Sequence, residues 1–205
     1  MAVERYKFPR SISAALWVDF ASTFEDVATC QYKRVSDTCI EGYVQAKNVC
    51  GHGRYKLYFS LNTDQPFQLE EQKETTACLT FGKKVRAVEV RIGLSALSSE
   101  LASWECARWE KMDFAELKSQ TGNQWEKQLS AIDVKGGKKD DKVIFYTSLY
   151  RAYLSPADVS SPDGAYLGTD GKVYISEDFR YYSNWSLWDT FRTKFPLLVL
   201  TEPAK

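Results

Sequence analysis

The chain has 205 residues and no long hydrophobic run. Its apolar stretches are short, Leu197-Leu198-Val199-Leu200 being typical, and a membrane-spanning helix needs roughly 20 such residues. Charge of one sign is also missing, since 27 Lys and Arg balance 27 Asp and Glu. A nucleic-acid surface or a polybasic membrane patch needs a cationic excess, so neither is expected. Histidine is reduced to His52, inside Cys50-Gly51-His52-Gly53. That is a turn sequence, better suited to a loop residue than to a metal ligand or general base. The five cysteines, Cys30, Cys39, Cys50, Cys78 and Cys106, form no CxxC pair, which argues against a thiolate zinc or redox centre. Their odd number argues against a complete disulfide framework. Mostly free, structural thiols are expected, with a bridge or two among Cys30 to Cys78 left open for an oxidising compartment. The N-terminal residues do not read as a secretory leader. Met1 to Pro9 runs straight into a strand-like segment, which points to an intracellular chain or to a start lying upstream. Lys135, Lys138 and Lys139 flank Gly136-Gly137, but no GK[ST] follows, so this is no phosphate loop. Repeats and low-complexity segments are absent.

What is present is a change of pattern near Ser95. Before it, alternating segments such as Tyr55–Leu61 and Val85–Ile92 read as strands, with Gly42, Gly51, Gly53 and Gly82 as turns. Short strands at this spacing predict an antiparallel sandwich sheet. After it, Ser98–Trp109 reads as a helix. Asp113 with Glu116 three residues on forms a capping box for a second helix, whose apolar stripe of Phe114, Leu117, Trp125 and Leu129 is interrupted by Gly122. A third helix is predicted from about Lys139 to Leu154, with Asp140 and Asp141 at its positive end and Val143, Tyr146, Tyr150 and Tyr153 on its buried face. Tyr166–Tyr174 reads as a hairpin turning on Asp170-Gly171 in a type I′ turn. A last helix starts at Ser186 and kinks or restarts at Pro196. Glu177 and Asp178 are adjacent and read as a polar loop.

The aromatic share is high, at 14% with 6 Trp and 12 Tyr, and it fits a sugar-binding surface and an ordinary core equally. The segment Tyr181–Pro196 is more specific. It brings Trp185, Trp188, Asp189 and Arg192 beside a helix start. Flat aromatic faces stack on the C–H faces of a sugar ring, and a neighbouring carboxylate accepts bonds from its hydroxyls. Two readings of Asp189 stand side by side. It can bind hydroxyls, or it can close a capping box with Ser186. Trp188 suits stacking and packing equally, whereas Trp185 suits packing. Arg192 follows Asp189 by three residues, which suits an ion pair that holds the carboxylate. Trp104 and Trp109 read as plugs at the change of pattern.

Three motifs carry a family resemblance. Phe145-Tyr-Thr-Ser-Leu-Tyr-Arg151, then Asp163-Gly-Ala-Tyr-Leu-Gly168, then Ser186-Leu-Trp-Asp-Thr-Phe-Arg192 with Pro196-Leu-Leu198 resemble, in order and spacing, segments of the family 92 glycoside hydrolases. These are calcium-dependent exo-acting α-mannosidases. The resemblance implies an α+β chain in several parts: the second half of a β-sandwich over 1–95, a helical linker over 96–135 and the start of an (α/α)6 catalytic barrel over 136–205. It implies a mannose-containing glycan as partner, Ca²⁺ as cofactor with ligands mostly outside this chain, and a secreted or periplasmic setting. It assigns hydroxyl binding to Asp189, and Trp188 and Arg192 beside it complete the candidate substrate-binding set. The family's catalytic carboxylates lie in "HEPS"- and "GNDD"-type motifs, and this sequence has neither. An inverting glycosidase needs an acid and a base about 6.5–9.5 Å apart. The isolated chain is therefore expected to be inactive, with a non-catalytic carbohydrate-binding protein as the alternative.

Overall fold

The computed structural model describes residues 1–205 except 24–25, 49–52, 184–186 and 203–205, and excepting the side chains of 71, 72 and 187. His52, Cys50, Trp185 and Ser186 thus lie outside the described residues. The chain forms two compact units, Met1–Leu117 and Lys118–Lys205.

Among the described residues the first unit has eight strands. They are β1 (Ala2–Lys7), β2 (Ala15–Asp19), β3 (Val27–Arg34), β4 (Cys39–Lys47), β5 (Arg54–Thr63), β6 (Phe67–Gln72), β7 (Thr76–Phe81) and β8 (Ala87–Ser95). Five pair in the order β1-β8-β5-β4-β3 and three in the order β2-β7-β6, all antiparallel. Side chains alternate along each strand. Ile40 on β4, Leu61 on β5, Leu79 on β7 and Val88 on β8 therefore join one buried cluster drawn from both sheets. The expected sandwich sheet is present. Gly42 is not a turn, however: it lies within β4, opposite Phe59 of β5.

Helix α1 (Ser99–Ala107) packs on β8 and β5, with the Ser98 side chain accepting the Leu101 N–H as N-cap. The approach is close. A Cβ at Gly93 would stand 1.9 Å from the Ala102 carbonyl oxygen. Cys39 of β4 and Cys106 of this helix are buried where helix and sheet meet, and their Sγ atoms lie 3.6 Å and 3.5 Å from the Oγ and carbonyl oxygen of Ser60. Burial pushes both thiols up, so they stay protonated. Trp104 is exposed on α1, with the Arg108 guanidinium 5.0 Å from its ring.

Helix α2 (Phe114–Leu129) begins with the predicted capping box. Glu116 N–H donates to Asp113 Oδ1 at 2.9 Å, and Asp113 N–H donates to Glu116 Oε2 at 3.0 Å. The helix continues through Gly122, and its apolar stripe is half-buried rather than buried.

In the second unit, α3 (Lys139–Tyr153) has the predicted bounds, and Asp141 accepts the Lys138 N–H at its start. Its buried face is rotated from the predicted one. Leu149 is 5% exposed, whereas Val143 is 56% exposed. Beyond α3 come β9 (Ala157–Asp158), β10 (Ala165–Leu167), β11 (Val173–Ile175), β12 (Tyr182–Ser183), α4 (Leu187–Thr190) and α5 (Lys194–Thr201). Strands β10 and β11 make the predicted hairpin, but not on a type I′ turn. Gly171 N–H donates to Gly168 O, and Gly168 N–H donates to Lys172 O. This is a three-residue loop with Gly171 at φ +78°, where a bulge places glycine. The last helix is broken after Thr190 and restarts at Lys194, which puts Pro196 in the first turn of α5. A missing N–H costs nothing there.

Among the described residues no helix is long and apolar enough to cross a membrane.

Candidate functional site

The three motifs succeed one another through the second unit. On α3, the Phe145–Arg151 segment turns its residues to structural use. Tyr146 Oη donates to Ile132 O at 3.0 Å and accepts Val134 N–H at 3.2 Å, which clasps the chain entering the helix. Tyr150 meets Trp125 edge-on at 4.5 Å between ring centroids.

The Asp163-Gly164 loop is held by local geometry. Asp163 Oδ1 accepts Ala165 N–H, and Gly164 has φ +84°, the left-handed region that glycine tolerates. Arg180 then ties the segment before this loop to the chain entering β12. Its Nε donates to Asp158 Oδ2 at 2.9 Å, and its two Nη atoms donate to the carbonyls of Ser160 and Ser161 at 2.8 Å each. All five guanidinium donors sit in one fixed fork, so a single side chain can gather three acceptors. The Tyr166 ring stacks on Tyr181 at 4.4 Å and lies 5.8 Å from Tyr174. A bond from Tyr174 Oη holds the Asp170 carboxyl below its usual value. Strand β12 pairs with β9, so Tyr182 lies opposite Asp158. These contacts fix the chain that leads to α4.

Of the sequence-predicted residues, Trp188 is 84% exposed, and Asp189 is exposed on the same short helix. The Trp188 ring lies 6.4 Å from Phe191, and the Arg192 guanidinium lies 5.3 Å from the Phe191 ring. An Asp189–Arg192 ion pair is not found among the described residues. An exposed indole beside a carboxylate and a guanidinium offers a flat apolar face, an acceptor and a donor. That set can stack on a sugar ring and bond its hydroxyls.

The sequence did not point to a second feature of this unit, a cavity of about 650 Å³ lined by Trp125, Gln128, Tyr153, Phe195, Leu198 and Glu202, among others. Gln128 Nε2 donates to the Glu202 carboxylate across it. Tyr153 Oη is buried there without a hydrogen-bond partner among the described residues. Residues so far apart in sequence give no local signal of meeting.

Calcium takes 6–8 oxygen ligands. Among the described residues no group of three or more His, Cys, Asp and Glu side chains converges.

A sandwich sheet is thus followed in the chain by helices that carry an aromatic and carboxylate segment. Family comparison makes this specific. The N-terminal domain of glycosyl hydrolase family 92 matches residues 1–95, and its catalytic domain matches residues 101–205. The chain belongs to glycosyl hydrolase family 92.

Solved structures agree. The family GH92 glycosyl hydrolase ccman5 superposes with a TM-score of 0.86 and 26% identity, over 98% of this chain and 29% of its own. A family GH92 α-mannosidase from Bacteroides thetaiotaomicron gives 0.83 and 25%, over 96% and 29%. An inverting family GH92 mannosidase from Bacteroides thetaiotaomicron VPI-5482 gives 0.79 and 21%, over 96% and 29%, a likeness of fold alone. The chain thus spans 29% of the length of these proteins. No curated protein matches the sequence.

Proposed function

We propose that this chain is part of an exo-acting α-mannosidase that releases terminal α-linked mannose from glycans with inversion and calcium assistance. The observation that carries the reading is the ordered run of three family motifs inside the matched catalytic domain, ending at the exposed Trp188. The Bacteroides thetaiotaomicron α-mannosidase, whose fold this chain shares, has also been solved with mannoimidazole, which supports mannose as the sugar. On this reading residues 1–95 belong to the sandwich, 96–135 to the linker and 136–205 to the opening of an (α/α)6 barrel. Trp188 stacks on the terminal mannose, Asp189 accepts from its hydroxyls, and Arg192 donates to them. The acid and base carboxylates and the calcium ligands come from the rest of a longer parent protein, and its setting is secreted or periplasmic.

Hydrolysis of α-linked mannobiose by this polypeptide, with calcium and then with chelator, is the test. No release is expected from the isolated chain. Calcium-dependent release would place the catalytic carboxylates within these residues and overturn the proposed division of labour. A non-catalytic glycan-binding role is the second reading, resting on the exposed Trp188 next to Asp189. It predicts glycan retention without hydrolysis even when the parent sequence is restored.

A further inference from the structure

The outer face of the five-stranded sheet carries a groove of about 700 Å³ in the first unit. Strand register explains its floor. Gln31, Tyr43 and Tyr58 stand opposite one another across β3, β4 and β5, forming one row. Two residues along each strand the same face returns, giving Lys33 and Glu41 as the next row. Lys56, two residues before Tyr58, falls in the row on the other side. The N-terminal turn of α1, through Ser99 and Glu100, forms a wall. This face is the reverse of the one that buries Ile40 and Leu61, so nothing in the sandwich core accounts for its two tyrosines.

The rings of Tyr43 and Tyr58 lie 5.9 Å apart and tilted by 58°. Lys56 Nζ sits 3.8 Å from the Tyr43 centroid and 5.2 Å from that of Tyr58. The ammonium thus sits closer to Tyr43 than to Tyr58, and both half-buried rings line the groove. Ammonium groups and carboxylates share the lining: Lys33 and Lys73 with Glu41, Glu74 and Glu100. A strongly charged ligand would meet repulsion whichever its sign. A neutral ligand rich in hydroxyls meets acceptors, donors and an aromatic face together.

We propose that this groove is a second saccharide-binding site, separate from Trp188, Asp189 and Arg192. A neutral oligosaccharide would stack on Tyr58 and bond to Gln31, Lys33 and Glu41. Its role would be to hold a glycan by sugars other than the one to be released. The groove chemistry asks only for a neutral saccharide, and the choice of a mannose polymer as probe rests on the function proposed above.

The experiment is affinity electrophoresis of the whole chain in native gels containing α-mannan, with a neutral β-glucan gel beside it. Tyr58→Ala should weaken retention in the α-mannan gel at least fivefold. Gln31→Ala, an exposed and conservative change, should weaken it about twofold to threefold. Thermal midpoints of both variants should match the wild type. If Tyr58→Ala fails to fold, the Gln31→Ala result decides alone. Retention that survives these changes but is lost in Trp188→Ala would overturn the groove and leave the proposed catalytic-domain surface standing. Absence of retention in both polysaccharide gels would also overturn it. Loss on Tyr58→Ala with retention kept in Trp188→Ala would establish the groove independently of that surface.

Discussion

Arg91→Met should be the most damaging substitution on the polar face of β8. Arg91 Nε and Nη2 donate to Glu89 Oε1 at 3.1 and 2.8 Å, Nη2 also donates to Met112 O at 2.7 Å, and Nη1 donates to Trp109 O at 2.5 Å. One side chain thus anchors the segment between α1 and α2 to the sheet. Arg5 Nη2 reaches Glu89 Oε2 at 2.9 Å, so the carboxylate is shared by two guanidinium groups. The side chains of Glu89 and Arg91 are only 11% and 16% exposed. Methionine fills most of the volume but leaves two carbonyls without their donor and Glu89 with one partner. Breaking a largely buried pair costs about 3–5 kcal/mol, and the remaining contact to Arg5 argues for the lower end, about 3 kcal/mol. Arg91→Lys should recover only part of this, because an ammonium cannot span three acceptors in one plane.

Burial pushes the Glu89 carboxyl up, but the bonds from Arg5 and Arg91 outweigh it and hold the group below its usual value. A depressed carboxylate contributes stability above its unfolded value, near pH 4.3, and loses that contribution as pH falls through the folded value. Urea unfolding of wild type, Arg91→Met and Arg91→Lys, followed by far-ultraviolet circular dichroism at pH 7 and at pH 3, measures both effects. The gap between wild type and Arg91→Met should be about 3 kcal/mol at pH 7 and should narrow at pH 3. A gap below about 1 kcal/mol at pH 7, the value for a surface pair, would refute the clamp.

Gly93→Ala should lift α1 from the sheet, because the new methyl meets Ala102 backbone rather than a movable side chain. A loss of at least about 2 kcal/mol in urea unfolding is expected, within the range for an overpacked site. Leu149→Ala should cost about 2–4 kcal/mol and Val143→Ala less than about 0.5 kcal/mol, and equal effects would show that the buried face of α3 is misplaced. Trp188→Ala should leave the thermal midpoint unchanged, since the ring is 84% exposed, while reducing mannoside binding in whatever parent context is active.

The sequence pattern is most readable where short-range rules act alone. The Asp113–Glu116 box, the bounds of α3 and the alternation of β5 and β8 all depend on neighbours a few residues apart. The α3 face is misread in part: Tyr146 and Tyr153 are half-buried, but Val143 and Tyr150 are exposed. Tyr150 reaches Trp125 yet stays partly exposed, and Leu149 fills the interior instead. The hairpin is legible in place but not in type, because Asp-Gly suits both a type I′ turn and the bulged loop. Here Asp170 accepts Lys172 N–H and Tyr174 Oη, contacts that go with the bulged form. The Arg5–Glu89 bond joins residues 84 positions apart, and the Tyr43–Tyr58 pair requires knowledge of strand register. No local pattern announces either. The three family motifs are legible only as words, and their residues and neighbours divide between clasping the backbone, as Tyr146 and Arg180 do, and facing solvent, as Trp188 does.

The break between α4 and α5 shows how one residue sets the presentation of the candidate site. A proline ring clashes with the carbonyl four residues earlier when the helix is continuous. For Pro196 that carbonyl belongs to Arg192, so the helix cannot run unbroken from Thr190 through Arg192 to Pro196. The chain accordingly leaves helical form at 191–193 and re-enters at Lys194. Trp188 and Asp189 are thereby carried on a four-residue helix of their own rather than on the first turn of a longer one. Pro196→Ala removes the clash and restores an N–H that can donate to Arg192 O. The two helices should then fuse, and amide exchange at 194 and 195 should slow by roughly tenfold, corresponding to about 1.4 kcal/mol of added local stability. Unchanged exchange there would mean that the break is imposed by packing around Phe191 and Phe195 and not by the proline.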